Sequence, residues 1–266
     1  MKKADIEKLR ALMERLRGPD GCPWDREQTL GSLAPFIIEE AYEVVSAIDS
    51  GAPEAVKEEL GDLLFQIIFA SRIAEEKGEF GIDTVIDSIV LKMVRRHPHV
   101  FGEGKAGSTE EVLKRWAEIK KEEDRAKGKE RGGYLGGVPE ALPALLRAHK
   151  ISEKAAKTGF DWKDINHVCE KVTEEMEEFR KAAKSKDRKG MEEEIGDILF
   201  TIVNVARFIE VNPEDALRKT VGKFISRFHH IEKTMTRRGK DLSSATLEEM
   251  DSIWEEAKKN EKEKTS

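Results

Sequence analysis

Apolar positions recur along the chain at three- and four-residue intervals, the spacing of one face of an α-helix. Ile6, Leu9, Met13 and Leu16 form such a stripe in residues 4–17, and Leu33, Ile37, Val44 and Ile48 form another in residues 33–50. No stretch shows the sustained alternation of apolar and polar residues that marks a half-buried strand. Glycine and proline gather at 18–23, 51–53, 97–107, 128–139 and 212–213, and the segments between them are rich in Glu, Lys, Ala, Leu and Ile. Such breaks end helices and start new ones. The pattern predicts an all-α fold.

The pattern also repeats. Glu39-Glu40-Ala41-Tyr42-Glu43 returns as Glu174-Glu175-Met176-Glu177-Glu178, and Glu58-Glu59-Leu60-Gly61-Asp62 returns as Glu193-Glu194-Ile195-Gly196-Asp197, both at an offset of 135. Lys92 and Arg96 match Lys223 and Arg227 at an offset of 131, and the segment from Glu110 to Trp116 matches that from Glu248 to Trp254 at 138. Trp24 pairs with Trp162 in the same way. Offsets that change only between segments place small insertions in loops, as a duplicated helical domain requires. The expected organisation is two tandem repeats of a four-to-five-helix bundle: residues 1–124, a flexible linker at 125–139 rich in glycine and charge, and residues 140–266.

Composition narrows the class. Of 266 residues, 38% are hydrophobic and 38% charged, with 47 Lys and Arg against 53 Asp and Glu for a net charge of −6. Both signs are interspersed, so there is no basic stripe to grip nucleic-acid phosphates, and direct nucleic-acid binding is not expected. No apolar run approaches the ~18 residues of a membrane helix. The start, Met-Lys-Lys-Ala-Asp, leads into a charged segment rather than a signal core, so a cytoplasmic location is expected. The two cysteines, Cys22 and Cys169, lie outside any CxxC motif and are expected to be buried small hydrophobes.

The chemistry-bearing residues are acidic. Glu40 and Glu43 are three apart, on one helix surface, and Glu40 falls within the arc of Leu33, Phe36, Ile37 and Val44. The chain then turns at Ser50-Gly51-Ala52-Pro53, and the returning helix carries Glu59 and Asp62. With a rise of ~1.5 Å per residue, the two pairs meet at one height of an antiparallel hairpin. After Gly61 that helix is apolar nearly all round, so it is expected to be buried, with Asp62 shielded from water. Four carboxylates cannot stay ionised together without a cation, and oxygen-only ligands suit Mg²⁺, Mn²⁺ or Ca²⁺. The second copy repeats the set with Glu175, Glu178, Glu194 and Asp197 around a turn near 185–188. A network of salt bridges to lysines is the competing account.

The motif Glu39-Glu40-x-x-Glu43 with Glu59-x-x-Asp62, and its copy Glu174-Glu175-x-x-Glu178 with Glu194-x-x-Asp197, resembles the MazG nucleoside triphosphate pyrophosphohydrolases. These belong to the all-α NTP pyrophosphatase superfamily, together with dimeric dUTPases and phosphoribosyl-ATP pyrophosphohydrolases. Gly21-Cys22-Pro23-Trp24-Asp25 and Arg95-Arg96-His97-Pro98-His99-Val100-Phe101 are similar to segments of its tandem-domain members. The resemblance covers essentially the whole chain. It implies Mg²⁺-dependent hydrolysis of NTPs and dNTPs to NMP and pyrophosphate, with broad base tolerance, in a homodimer. It also implies that Lys223 and Arg227 bind phosphate.

Further roles are expectations on the same footing. One glutamate of each cluster takes the water's proton, with Glu39, Glu174 and Glu175 as the candidates. Lys92 and Arg96 repeat the basic pair, and Lys189 is a weaker phosphate ligand. Asn204 is expected either to bind a ribose hydroxyl or base edge or to be a satisfied core amide, and Trp254 either to stack on a base or to pack the C-terminal helix. Asn204 stands where the first copy has Phe69, and Lys189 where it has Glu54, so the C-terminal copy is expected to be the more competent site. His97 and His99 flank Pro98 in an interface loop, and His229 and His230 carry no assigned role. A di-iron bundle is set aside because no Glu is followed by His three residues later. The alternative outside enzymology is a Mg²⁺-stabilised helical interaction module.

Overall fold

The computed structural model describes residues 5–102, 107–126 and 133–265. Among them it contains twelve α-helices, one short 3-10 turn and no strand. The chain divides into two compact units, Met1–Glu123 and Asp124–Ser266.

The first unit runs α1 (Ile6–Arg17), α2 (Pro23–Glu27), α3 (Leu30–Ser50), α4 (Pro53–Glu76), α5 (Ile82–Arg96), α6 (Pro98–Phe101) and most of α7 (Thr109–Ala126). Its centre is the antiparallel α3–α4 hairpin, with α1 and α5 laid against α4. Thr29 and Ser32 cap the start of α3 reciprocally through side chain and backbone. The hairpin turns where Gly51 adopts φ +69°, a left-handed conformation glycine takes without penalty, and Pro53 then opens α4. Met13, Leu33, Ile68, Phe69, Ile73 and Ile82 form one core cluster from α1, α3, α4 and α5. Arg17 closes the bottom of that core. Its guanidinium lies 5.5 Å from the Phe69 ring centroid and donates to both Glu76 carboxylate oxygens, at 2.7 Å to Oε2 and 3.0 Å to Oε1.

The second unit contains α8 (Ala144–Ala156), α9 (Ile165–Ser185), α10 (Arg188–Phe208), α11 (Pro213–Arg237), the 3-10 turn Leu242–Ser244 and α12 (Leu247–Thr265). Here α9 and α10 form the hairpin, α8 packs on α10 and α11, and α12 packs on α11. The turn between α9 and α10 uses a non-glycine left-handed residue, Lys186 at φ 57°, and Asp187 caps α10. Asp164 caps α9 and Asn212 caps α11. The interior is more polar than in the first unit. Val168 and Val203 are fully buried, and so is Asn204 where the first unit buries Phe69. A separate apolar cluster of Ile231, Met235 and Ile253 joins α11 to α12.

Three expectations change at this level. Ile48 is 58% exposed because Val44 and Ala47 take the inward positions of the last turns of α3. Asp62 is exposed, as are Leu64 and Ile67, because within the unit α4 buries only the side carrying Ile68, Phe69, Ile73 and Ala74. Cys169 is exposed and Cys22 only half-buried. Part of the expected linker, residues 127–132, lies outside the described residues. Residues 133–143 are turns, and the Lys154 ammonium of α8 donates to the Gly136 carbonyl, which ties that part of the segment down.

Candidate metal and nucleotide site

Each hairpin gathers acids across its two helices. In the first unit Glu40, Glu43 and Glu59 each present a carboxylate oxygen within 4.8 Å of the others; in the second unit Glu175, Glu194 and Asp197 do the same. Opposite oxygens on an octahedral Mg²⁺ are about 4.2 Å apart, so either set reaches one ion by small side-chain movements. Each group has three members where the sequence pattern led one to expect four. Asp62 stands outside the first group, on the exposed side of α4, and Glu178 stands outside the second, although its charge still acts on Glu194.

The crowding shows in the acids themselves. Burial raises the Glu194 carboxyl above the usual carboxylate range, and the charges of Glu178, Glu175 and Asp197 push it further. Glu43 is raised in the same way by desolvation and by Glu59, Glu40 and Glu39, although the residue as a whole is exposed. Oε2 of Glu194 is buried and has no hydrogen-bond partner. A buried carboxylate oxygen left without a donor is costly. An all-oxygen donor set with such an atom fits a hard divalent cation, and Glu175, Glu194 and Asp197 are the residues that would hold it.

The two clusters have different neighbours. In the second unit the Lys171 ammonium lies 2.7 Å from Glu175 and 2.9 Å from Glu174, and these contacts raise its own pKa. The position equivalent to Lys171 in the first unit is Phe36. There Gln66 Nε2 donates to Glu40 at 3.3 Å, and Gln66 Oε1 is buried without a partner. Lys171 escaped sequence reasoning because a lysine one turn before a glutamate is an ordinary pair on a helix surface. Its contrast with Phe36 was the available signal. The lysine network therefore accounts for Glu174 and Glu175, and leaves Glu194 Oε2 unsatisfied.

The other expected site residues are distributed as follows. Glu39 and Glu174 are both exposed beside their clusters. Lys189 is exposed at the start of α10 and pairs with Glu193 at 3.6 Å. Asn204 is fully buried; its amide donates to the Phe200 carbonyl at 3.0 Å, and its oxygen accepts from Arg207 at 3.2 Å. Arg207 in turn binds Asp161, at 2.9 Å for its longer bond. That network occupies both ends of the Asn204 amide. Lys223 is exposed, and its charge helps lower the Glu261 carboxyl. Arg227 is bound by Glu261 at 2.7 and 3.0 Å and lies 5.4 Å from the Trp254 ring centroid. Trp254 also packs on Phe224 at 5.1 Å. In the first unit Lys92 is half-buried on α5, and Arg96 meets Glu123 and Trp116 as Arg227 meets Glu261 and Trp254. The rings of His97 and His99 lie 5.6 Å apart, and His97 Nδ1 donates to the Met93 carbonyl at 2.7 Å.

A helical hairpin that gathers acids able to hold a cation, present twice in one all-α chain, defines a duplicated carboxylate-hairpin protein. The MazG nucleotide pyrophosphohydrolase domain matches residues 28–101 and 163–232, which include both hairpins. The chain belongs to that family of hydrolytic enzymes. It is 46% identical over 260 residues to a nucleoside triphosphate pyrophosphohydrolase/pyrophosphatase MazG of Thermotoga maritima, covering 97% of this chain and 98% of the relative. It is 42% identical over 259 residues to a nucleoside triphosphate pyrophosphohydrolase of Escherichia coli K12, covering 96% and 98%. A crystal structure of a mazG-related protein from Thermotoga maritima, 31% identical, aligns with a TM-score of 0.38 over 43% of this chain and 98% of that one. No described helix is long and apolar enough to cross a membrane.

Proposed function

We propose that this enzyme hydrolyses nucleoside and deoxynucleoside triphosphates to the monophosphate and pyrophosphate with Mg²⁺, tolerates many bases, and does so mainly in its C-terminal domain. In this reading residues 1–124 and 140–266 are tandem domains joined by 125–139, and the working molecule is a homodimer in the cytoplasm. The observation that carries the proposal is the second cluster, in which Glu175, Glu194 and Asp197 converge around the unsatisfied Glu194 Oε2 while Lys171 stands beside them.

Water adds across the α–β phosphoanhydride, so one P–O bond breaks, one forms, and one proton must leave the water. Mg²⁺ when bound there neutralises phosphate oxygens and makes a bound water more acidic. Glu175, Glu194 and Asp197 supply the charge that holds it, and Glu178 adds to the field. In this reading Glu174, exposed and 2.9 Å from the Lys171 ammonium, takes the proton. Lys171 can exchange a carboxylate oxygen for a phosphate oxygen without leaving the cluster, while Lys223 and Arg227 receive the rest of the triphosphate. The first cluster keeps its carboxylates but has Phe36 and Glu54 where the second has Lys171 and Lys189, so it has two fewer cations for a polyanion, with only Lys92 and Arg96 left to match Lys223 and Arg227.

The test is a panel of NTPs and dNTPs with and without Mg²⁺, scored for pyrophosphate against orthophosphate. Pyrophosphate release that needs Mg²⁺ supports the enzyme; Mg²⁺ binding with no release favours the interaction module. Glu175→Ala and Glu194→Ala each lower turnover by about 10²-fold or more, whereas Glu40→Ala and Glu59→Ala leave most of it. The reverse pattern would move the main site to the first unit.

A further inference from the structure

Both units restrain one arginine in the same way, using helices that lie outside the matched family segments 28–101 and 163–232. In the second unit, Nε and Nη2 of Arg227 donate to Glu261 Oε2 at 3.0 and 2.7 Å, and the guanidinium lies over Trp254 at 5.4 Å. In the first unit, Nη2 and Nε of Arg96 donate to Glu123 at 2.7 and 3.5 Å, and the guanidinium lies over Trp116 at 5.4 Å. Trp116 and Glu123 are seven residues apart, as are Trp254 and Glu261. Two helical turns therefore place a ring and a carboxylate on one side of α7 or α12. The arginines sit at a different offset from these pairs, so the three-residue arrangement has survived a change in loop length.

The edge that is used matters. A guanidinium has five N–H donors in a planar fork. Glu261 engages the lateral Nε/Nη2 edge, and Trp254 covers a face. Nη1 donates to no acceptor among the described residues. The Arg227 side chain is 20% exposed and lines a cleft between α11 and α12 with Ser226, His230 and Asn260. A lateral hold of this kind fixes the plane of the fork and leaves its terminal edge for an oxyanion. A carboxylate on the terminal edge would block one.

We infer that Glu261 is the positioning residue of Arg227: with Trp254 it fixes the guanidinium so that the Nη1 edge meets the triphosphate. The inference deepens the proposed function and rests on its reading of Arg227 as a phosphate ligand. Freezing an arginine before the substrate arrives removes an ordering cost from binding, so the effect falls on substrate capture. Trp254 on this account serves the substrate through the arginine.

Steady-state kinetics of the full chain with ATP and Mg²⁺ decide the matter. Glu261→Gln raises KM about ten-fold with kcat within about two-fold, the signature of lost ground-state binding. Arg227→Lys also raises KM, and in that background Glu261→Gln adds less than about two-fold, because residues that act as a unit are not additive. Thermal melts accompany each variant. If Glu261→Gln melts below the assay temperature, Glu261→Asp, which keeps the charge and withdraws it by one methylene, carries the test with a smaller rise in KM. A lowered melting temperature with unchanged KM makes Glu261 a mere tie between helices and overturns the inference, as does a KM that falls or an effect that multiplies fully with Arg227→Lys. An unchanged KM in Arg227→Lys alone overturns it too, and separately removes Arg227 from the proposed function.

Discussion

Glu194 shows what a single side chain is made to tolerate. Its carboxyl is raised above the ordinary range by burial and by three acidic neighbours. A raised acid costs the folded state most at pH values where it must be ionised, and that cost fades as pH falls through the raised value. Above that raised value the metal-free protein carries it in full. Glu194→Gln therefore raises the melting temperature of metal-free protein while abolishing turnover. Mg²⁺ offsets the same cost: at about 100 times its dissociation constant a ligand specific to the folded state adds ~2.7 kcal/mol. Calorimetry with and without EDTA measures both effects, and a wild-type protein whose melt ignores Mg²⁺ would speak against the cluster as a cation site.

The helices supply a second set of expectations. Glu123 on α7 is 8% exposed and joins Arg96 and Arg95 of α5; the hydrogen bond from Arg96 lowers its pKa to about 2. A depressed acid stabilises the fold above its unfolded value and loses that contribution as pH falls toward the folded one. Acid unfolding of Glu123→Gln should thus diverge from wild type above about pH 4.3 and converge with it near about pH 2. Phe69, buried among α1, α3, α4 and α5, is the apolar counterpart, and Phe69→Ala should cost about 3–5 kcal/mol in the first unit by denaturant titration.

Most of this architecture was legible from spacing. The turn at Gly51 and Pro53, the two hairpins and the tandem repeat all follow from local pattern. What escaped was direction and pairing. Periodicity gave α4 no exposed side, so Asp62 was expected to be shielded; exposure depends on how many helices pack around α4 within the unit. Lys171, Glu123 and Glu261 were invisible because a charge on a helix reads as solvated surface until the partner helix is in place. Asn204 stood out in the sequence as an odd amide in an apolar run, but its partners, Phe200, Arg207 and Asp161, come from the fold.

For the whole molecule, the informative surface is an apolar stripe that occurs twice. Leu60, Leu64 and Ile67 on α4 are 50%, 38% and 39% exposed, and their equivalents Ile195, Leu199 and Ile202 on α10 are 46%, 50% and 45% exposed. Apolar residues at i, i+4 and i+7 turned to solvent mark a face that association covers. Leu199→Glu and Leu64→Glu should each shift the protein toward monomer in sedimentation experiments, with the helical content unchanged. A monomeric wild type would leave the homodimer reading without support.

The exchange of Phe36 for Lys171 means that each half of this chain is a ready-made variant of the other. Phe36→Lys would place an ammonium one turn ahead of Glu40, at the spacing that joins Lys171 to Glu175. Whether one such swap changes how a cluster receives an anion can thus be asked inside a single polypeptide, with the unaltered half serving as the reference.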